Sequence, residues 1–228
     1  MVGSVARPRV GRPRAVENAT PGAAPREQIL LAASRLFVEY GVGATSTRAI
    51  AEAVGMRQAS LYYHFAGKDE ILAELLGRSI RSSVEIAREI PEVLTASEAA
   101  AALYRLARAD AELLLETPHN IGALYLMPEL GDERFDEFHA ERDELRGCYG
   151  RLAAAARGIA DAGAADDERT LLGHLVLQTV ETVIQLRRAG HALPAPGLLA
   201  EAALRTAGLA AAAVARAAAD HSASAPAS

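Results

Sequence analysis

Apolar residues recur every three or four positions along most of the chain, which is the spacing of one face of an α-helix. Ile71, Leu72, Leu75, Leu76 and Ile80 illustrate this spacing. No stretch shows a convincing alternation of apolar and polar residues, so the pattern indicates an all-α protein. The predicted helices cover about residues 25–40, 68–89, 97–116, 132–162, 166–189 and 197–219, with a short helical piece at about 119–126.

Residues 46–68 predict two short helices joined by a tight turn. Ser46 can cap the first helix through its hydroxyl, and Gly55 can adopt the positive φ that ends it. Ala51 leaves room where the two helices cross, and Leu61 provides the inner face of the second helix. Such a pair is a helix-turn-helix, the motif that places a recognition helix in the DNA major groove.

The polar residues of this stretch are of types that bind DNA well. Arg57 and Gln58 open the second helix, where we predict contacts to base edges, since Arg pairs with guanine and Gln with adenine. The alternative is that the helix pair only packs and that its aromatic residues are ordinary surface side chains. Donors suited to phosphate oxygens surround the helix, namely Thr47, Arg48, Tyr63, His64 and Lys68, and Ser60 and Tyr62 complete the predicted DNA-contacting set.

From Arg26 to Leu76 the chain resembles the N-terminal domain of the tetracycline-repressor (TetR) family. The run Leu61-Tyr62-Tyr63-His64-Phe65-Ala66-Gly67-Lys68 matches the family signature, a Leu-Tyr-x-His-Phe-like run followed by two residues and a lysine. Thr47, Arg48 and Gln58 also fall where family members place DNA contacts. The resemblance implies an all-helical homodimer with three short helices for DNA and a larger C-terminal domain that often binds a small molecule.

Charge is divided unevenly along the chain. Residues 1–68 hold nine Arg and Lys against four Glu, a net charge of +5, whereas residues 69–228 hold fifteen against twenty-five, a net charge of -10. The basic N-terminal part is therefore the one suited to DNA. The single cysteine, Cys148, excludes an internal disulfide. We expect no signal peptide and no membrane span, since no apolar run reaches about 20 residues, and hence a cytoplasmic protein.

The expected organisation has five parts. Residues 1–24 form a disordered basic arm, residues 25–68 the helix-turn-helix domain and residues 69–90 a linking helix. Residues 91–219 form the C-terminal ligand-binding and dimerisation domain, and residues 220–228 a disordered tail. Within the arm, residues 11–14 read Gly-Arg-Pro-Arg, which resembles the core of a minor-groove AT-hook; the alternative is a solvated basic tail.

Four polar residues form one stripe on an otherwise apolar helix near the C-terminus. His174, Gln178, Glu181 and Gln185 recur at helical spacing, which favours either a ligand pocket or a wet edge of a dimer interface or plain solvent. The last two helices carry more apolar surface than one subunit hides, so we expect them to pair with a two-fold mate as a four-helix bundle. The predicted ligand-binding residues are His119, Asn120, Tyr125, Phe138, His174 and Gln178.

No enzymatic or metal-binding motif stands out. Only His139 and Asp143 have ligand spacing on one helix, and no third ligand is evident. We therefore predict no catalytic residue, no metal and no cofactor. The sequence predicts a ligand-responsive repressor that binds a palindromic DNA operator as a homodimer, with a small-molecule effector of unknown identity. The alternatives are a ligand-independent DNA-binding regulator and, from another class, a helical enzyme.

Overall fold

The computed structural model describes residues 23–125, 127–158 and 165–224, and within these ranges the chain forms nine α-helices and no strand. The predicted all-α class is thus confirmed. The helices are α1 (Pro25–Tyr40), α2 (Thr47–Ala53), α3 (Gln58–His64), α4 (Lys68–Glu89), α5 (Ala96–Glu116), α6 (Asp136–Ala156), α7 (Ala165–Arg188), α8 (Pro196–Thr206) and α9 (Ala211–Ser224).

The helix-turn-helix of α2 and α3 forms for the reasons that the sequence indicates. The Ser46 hydroxyl accepts a hydrogen bond from the Ala49 amide at 3.1 Å and so caps α2. Gly55 has a φ of 72°, a left-handed conformation that favours glycine and lets the chain reverse after α2. Ala51 is buried at the crossing, and Met56 packs partly buried against the core.

Helix α4 joins the N-terminal helices to the rest of the molecule. Its buried stripe includes Ile71, Leu75 and Ile80, and its 22 residues run without interruption. It packs against α1 on one side and against α5 and α6 on the other. Any displacement in the C-terminal helices that reaches α2 and α3 therefore has a direct path through α4.

Helices α6 and α7 lie closer together than side chains on both would allow. A Cβ added at Gly150 would lie 2.3 Å from the Arg169 carbonyl oxygen, and one added at Gly173 would lie 2.4 Å from the Arg146 carbonyl oxygen. The glycines thus permit a near-backbone contact between the two helices. On the other side of the bundle, α5 packs against α8 and α9.

The predicted last helix at 197–219 is wrong as a single element. Helix α8 ends at Thr206, and α9 begins at Ala211. Gly208 between them has a φ of 86°, which closes α8 in the manner of a C-terminal glycine. The predicted disordered tail is also wrong as far as Ser224, because alanine has a high helix propensity and α9 packs Val214 and Ala217 into the core.

Two other predicted boundaries need correction. The helix expected at 132–162 begins as short 3-10 segments, Pro128–Gly131 and Glu133–Phe135, and α6 starts only at Asp136 and ends at Ala156. The piece expected at 119–126 is a 3-10 segment, Ile121–Leu124, rather than an α-helix. The basic arm up to residue 22, with its Gly-Arg-Pro-Arg sequence, and residues 159–164 lie outside the described residues. No helix in the described part of the chain is long and apolar enough to cross a membrane.

Candidate functional site

The second helix of the motif, α3, is held at its C-terminal end by an arginine from α1. Arg26 donates to the His64 carbonyl oxygen at 2.8 Å and forms an ion pair with Glu74 of α4 at 3.1 Å. Its guanidinium also lies 4.1 Å from the centroid of the Phe65 ring. The position of α3 is therefore tied to both α1 and α4, which gives its outer face a fixed orientation.

The outer face of α3 carries the residues that the sequence predicts as DNA contacts. Tyr63 is 88% exposed and Tyr62 is 50% exposed, while Leu61 between the motif helices is fully buried. Arg57 and Ser60 are exposed, and their side chains form no hydrogen bond or ion pair with the described residues. The His64 ring packs edge-on against Tyr63, with centroids 5.3 Å apart. An exposed aromatic and cationic surface of this kind suits a nucleic acid.

Gln58 belongs to a small hydrogen-bonded cluster that joins α3 to α2. Its amide nitrogen donates to the Thr47 hydroxyl at 2.9 Å and lies 3.5 Å from the Tyr62 hydroxyl. The Thr47 and Tyr62 hydroxyls are themselves 3.2 Å apart. Three of the predicted DNA-contacting residues are thus brought together before any DNA is bound. We refer to these three residues as the Gln58 cluster.

Two charged residues among the predicted phosphate contacts also have partners within the protein. Arg48 pairs with Glu52 at 2.8 Å, and both side chains are more than half exposed, so the pair is weak and its arginine can turn to a phosphate. Lys68 is half-buried and donates to the Val42 and Thr45 carbonyl oxygens, at 2.9 and 3.5 Å. Its ammonium therefore pins the loop between α1 and α2, a structural role that the sequence did not suggest.

A cavity of about 360 Å³ lies between α6, α7 and the segment Ile121–Leu124. Helix α7 contributes the predicted polar stripe, including His174 and Gln178, and Tyr125 contributes part of an apolar wall. The cavity is thus partly open and partly polar, as a site for a small polar molecule would be. Its other lining residues are Gly122, Arg142, Arg146, Leu177, Glu181, Thr182, Ile184 and Gln185.

A buried ion pair forms one side of this cavity. Arg142 of α6 donates to both carboxylate oxygens of Glu181, at 2.6 and 3.2 Å, and Gln178 donates to the same carboxylate at 2.7 Å. The Arg142 guanidinium lies 4.4 Å from the centroid of the Tyr125 ring. Burial works against the charged form of Arg142, but the bonds to Glu181 prevail and raise its pKa. The two side chains thus satisfy each other's hydrogen-bonding groups.

The other predicted pocket residues lie outside the cavity. Phe138 is buried beside Tyr125, with ring centroids 5.5 Å apart, and the Asn120 amide donates to the Ile184 carbonyl oxygen at 2.8 Å. His119 lines a separate groove of about 250 Å³ between α1, α4 and the chain before Ile121. Burial and nearby arginines lower the pKa of the His119 imidazole. Of the six predicted residues, the structure brings together Tyr125, His174 and Gln178.

Sequence reasoning missed the two arginines of the cavity. Arg142 and Arg146 lie four and eight residues after Phe138 and share its helical face. This spacing could have indicated that both arginines face inward. However, the first half of this helix is rich in charged residues, which favours a face exposed to solvent. The His139 ring nitrogen donates to the Leu130 carbonyl oxygen at 2.8 Å and so has a partner within the protein. No group of three or more His, Cys, Asp or Glu in the described ranges could hold a metal.

Two serines of α4 connect that helix to the region around the cavity. The Ser79 hydroxyl donates to the Leu76 carbonyl oxygen at 2.6 Å, so the Tyr125 hydroxyl, 2.8 Å away, must be the donor to Ser79. One turn later, Ser83 donates to the buried carboxylate of Asp110 at 2.9 Å. Tyr149 donates to the other oxygen of that carboxylate at 3.0 Å. Burial, opposed by these bonds, raises the pKa of Asp110 to about 6.

Comparisons with known proteins agree with this geometry. Residues 29–75 match the family model of bacterial regulatory proteins, tetR family. The crystal structure of Mycobacterium smegmatis AmtR is 40% identical, covers 91% of this chain and 98% of that chain, and superposes with a TM-score of 0.75. The transcriptional repressor KstR2 of Rhodococcus jostii (strain RHA1) is 29% identical over 144 residues, 62% of this chain and 66% of that protein.

A shorter match reaches KstR2 of Mycobacterium tuberculosis (strain CDC 1551 / Oshkosh), 45% identical over 51 residues, which are 22% of this chain and 26% of that protein. The match thus spans about a quarter of that repressor's length. The chain belongs to the tetR family, whose members are transcriptional regulators rather than enzymes. The predictions of a TetR-family protein and of a DNA-binding regulator are confirmed by this membership, and the enzyme alternative is excluded.

Proposed function

We propose that the protein is a transcriptional repressor that binds a palindromic DNA operator as a homodimer and responds to a small-molecule effector. The observation that carries the DNA-binding part is the outer face of α3. There Arg57, Gln58, Ser60, Tyr62 and Tyr63 are exposed on a helix that buried contacts hold in place. Arg57 and Gln58 contact base edges, and the hydroxyls and cations around them contact phosphates.

Dimerisation is supported by an exposed apolar face on α7 and α8. Leu171 and Leu175, one turn apart on α7, are 57% and 46% exposed, and Leu198 of α8 is 56% exposed, which is costly for large aliphatic side chains. A two-fold mate that presents the same two helices would cover them as a four-helix bundle. Two-fold symmetry would place the recognition helices in major grooves roughly 34 to 36 Å apart and would require a palindromic site.

Effector response is supported by the cavity and by its connection to α4. A guest in the cavity would contact Arg142, Gln178 or Tyr125, and the Tyr125 hydroxyl bonds Ser79 of the linking helix. A guest that binds one orientation of α4 more tightly would shift the population away from the DNA-binding form. A coupling of about 1 to 3 kcal/mol would weaken operator binding by roughly five- to 150-fold.

The second candidate is a DNA-binding regulator without a small-molecule effector. The pair of Arg142 and Glu181 favours it, because each charge is already satisfied within the protein and needs no guest. The two candidates differ in one outcome. If the first is right, a molecule that binds in the cavity changes the affinity for the operator. If the second is right, the ion pair is purely structural and no such molecule changes that affinity.

Selection of bound duplexes from a random DNA pool tests the proposed function. The full chain should recover a two-fold symmetric motif, and the double variant Arg57→Ala, Gln58→Ala should lose it while it stays folded and dimeric. Arg105→Ala, an exposed arginine on α5, is the matched control and should recover the same motif. A folded dimer of the wild type that enriches no sequence, with and without prior removal of bound small molecules by refolding, would refute specific DNA binding.

A further inference from the structure

The Gln58 cluster affects the orientation of the Gln58 side-chain amide, and this orientation affects base recognition. A glutamine amide presents an acceptor at one end and two donor hydrogens at the other, so its orientation decides which bases it can bind. Here the nitrogen end faces both hydroxyls, that of Thr47 at 2.9 Å and that of Tyr62 at 3.5 Å, and the two hydroxyls are 3.2 Å apart. The carbonyl oxygen of Gln58 has no partner among the described residues.

We infer that Tyr62 and Thr47 orient the Gln58 amide, so that a phosphate contact made by Tyr62 selects the base that Gln58 recognises. This inference rests on the proposed DNA-binding function and assigns Thr47 and Tyr62 a positioning role in addition to any phosphate contact. It follows from counting hydrogens along the cluster.

Each hydroxyl has one hydrogen, and phosphate oxygens only accept hydrogen bonds. A Tyr62 hydroxyl that donates to a DNA phosphate has no hydrogen left for Thr47, so it must accept from Thr47. Thr47 then has no hydrogen left for Gln58 and can only accept from the Gln58 amide nitrogen. The polarity that the phosphate imposes on Tyr62 therefore passes through Thr47 to Gln58.

The resulting orientation points the Gln58 carbonyl oxygen toward the major groove. That oxygen can accept from the exocyclic amino group of adenine or cytosine but is repelled by the exposed oxygens of guanine and thymine. The second hydrogen on the amide nitrogen reaches the Tyr62 hydroxyl only at the long distance of 3.5 Å, so it can donate instead to N7 of adenine, which gives the two-bond pair that glutamine forms with adenine. The cluster therefore favours adenine at the contacted position. If the amide were reversed, it would offer only donors to the groove and would favour guanine or thymine.

The test measures base discrimination rather than overall affinity. The contacted operator position is defined as the one whose preference disappears in Gln58→Ala. Binding of the full chain to the four operators that differ only there is then measured by fluorescence polarisation for the wild type, Thr47→Val, Tyr62→Phe and Thr47→Ser. Tyr63→Phe is the matched control, since it removes an exposed tyrosine hydroxyl of the same helix that lies outside the cluster.

The wild type should prefer adenine at least fivefold over guanine and thymine, in line with the roughly 1 to 3 kcal/mol of a two-bond contact. Thr47→Val keeps the shape of the side chain but removes the hydroxyl, so the preference should fall below about twofold, as it should in Tyr62→Phe. Thr47→Ser should restore it. Tyr63→Phe should weaken binding to all four operators equally and keep the preference.

Three results would overturn the inference: an unchanged preference in Thr47→Val, an equal loss in Tyr63→Phe, or a wild-type preference for guanine or thymine at that position. Failure of the proposed function looks different, because the wild type would then select no operator at all and the inference would fall with it. The melting temperature of each variant separates lost recognition from lost folding.

Discussion

The Gln58 cluster and the ion pair of the C-terminal cavity use similar hydrogen-bonding chemistry in opposite environments. Gln58 and Tyr62 are exposed, and Gln58 keeps an acceptor without a partner among the described residues. The Arg142 and Glu181 side chains are only 13% and 8% exposed, and they form an ion pair with each other. An exposed polar group with unused capacity serves a partner molecule, whereas a buried polar group must be satisfied within the protein.

This difference separates recognition from stability. A substitution on the α3 face removes bonds that form only with DNA, so operator binding should fall while the free energy of unfolding stays nearly unchanged. A substitution in the buried group leaves a partner charge without compensation, so the free energy of unfolding should fall first. The predictions below test this separation.

The largest effect is expected for Arg142→Met. It leaves the Glu181 carboxylate buried without its ion partner, so the free energy of unfolding should fall by about 3 to 5 kcal/mol, measured by urea denaturation. The control is Arg88→Met, which breaks the exposed pair with Glu144 and should lower the free energy of unfolding far less. The double variant Arg142→Met, Glu181→Met should recover most of the loss. If Arg142→Met and Arg88→Met lowered the free energy of unfolding equally, the proposed difference between buried and exposed polar groups would be wrong.

A second prediction concerns the pH dependence of stability. Asp110 has a pKa raised to about 6 by burial, against an ordinary value of 3.8 in the unfolded chain. The folded protein therefore holds this proton more tightly, and stability should decline as pH rises from about 4 to about 6. The decline should be about 3 kcal/mol, because each pKa unit corresponds to about 1.36 kcal/mol.

Asp110→Asn should remove this component of the pH dependence. The amide oxygen can still accept from Ser83, and the amide nitrogen can donate to Tyr149. Denaturation curves of the variant and the wild type at several pH values give the difference directly, so that the titration of all other groups cancels. A difference in stability that is constant between pH 4 and pH 7 would contradict the assignment.

A smaller effect is expected when the cavity is disconnected from α4. Tyr125→Phe keeps the ring under Arg142 but removes the bond to Ser79, which should cost about 1 kcal/mol of stability and change operator affinity several-fold. Tyr104→Phe is the control, because Tyr104 is also buried but lies on α5 against His221. Operator affinity, measured by fluorescence polarisation, should be unchanged in the control. If both variants bound the operator with the affinity of the wild type, the bond between Tyr125 and Ser79 would not couple the cavity to DNA binding.

The smallest effect is expected on the DNA-facing surface. Glu52→Gln frees Arg48 from its exposed partner and removes a negative charge near the phosphates, so operator affinity should rise about two- to fivefold. The gain should shrink with increasing salt, and stability should change by less than about 0.5 kcal/mol. A matched loss of charge far from α3, Glu201→Gln on α8, should leave DNA binding unchanged. A gain that is independent of salt would argue against release of Arg48 to a phosphate.

The sequence predicts the helix-turn-helix well because its signals are local. The cap at Ser46, the turn at Gly55 and the inner residue Leu61 lie within 16 positions of one another in the sequence, and each acts through its neighbours. The buried ion pair is not predictable in this way, because its partners are 39 residues apart on different helices. The end of α8 was missed because alanine is common throughout α8 and α9, so the spacing of apolar residues does not mark where one helix stops and the next begins.

The close contact of α6 and α7 has a mechanical consequence for the cavity between them and Ile121–Leu124. Gly150 and Gly173 bring the two backbones so near that the helices cannot slide past or rotate against each other without collision. One wall of the cavity is therefore stiff, and the opposite wall is a four-residue 3-10 segment that ends beside Tyr125. Any swelling or contraction of the cavity should move that short wall, which also contacts the linking helix.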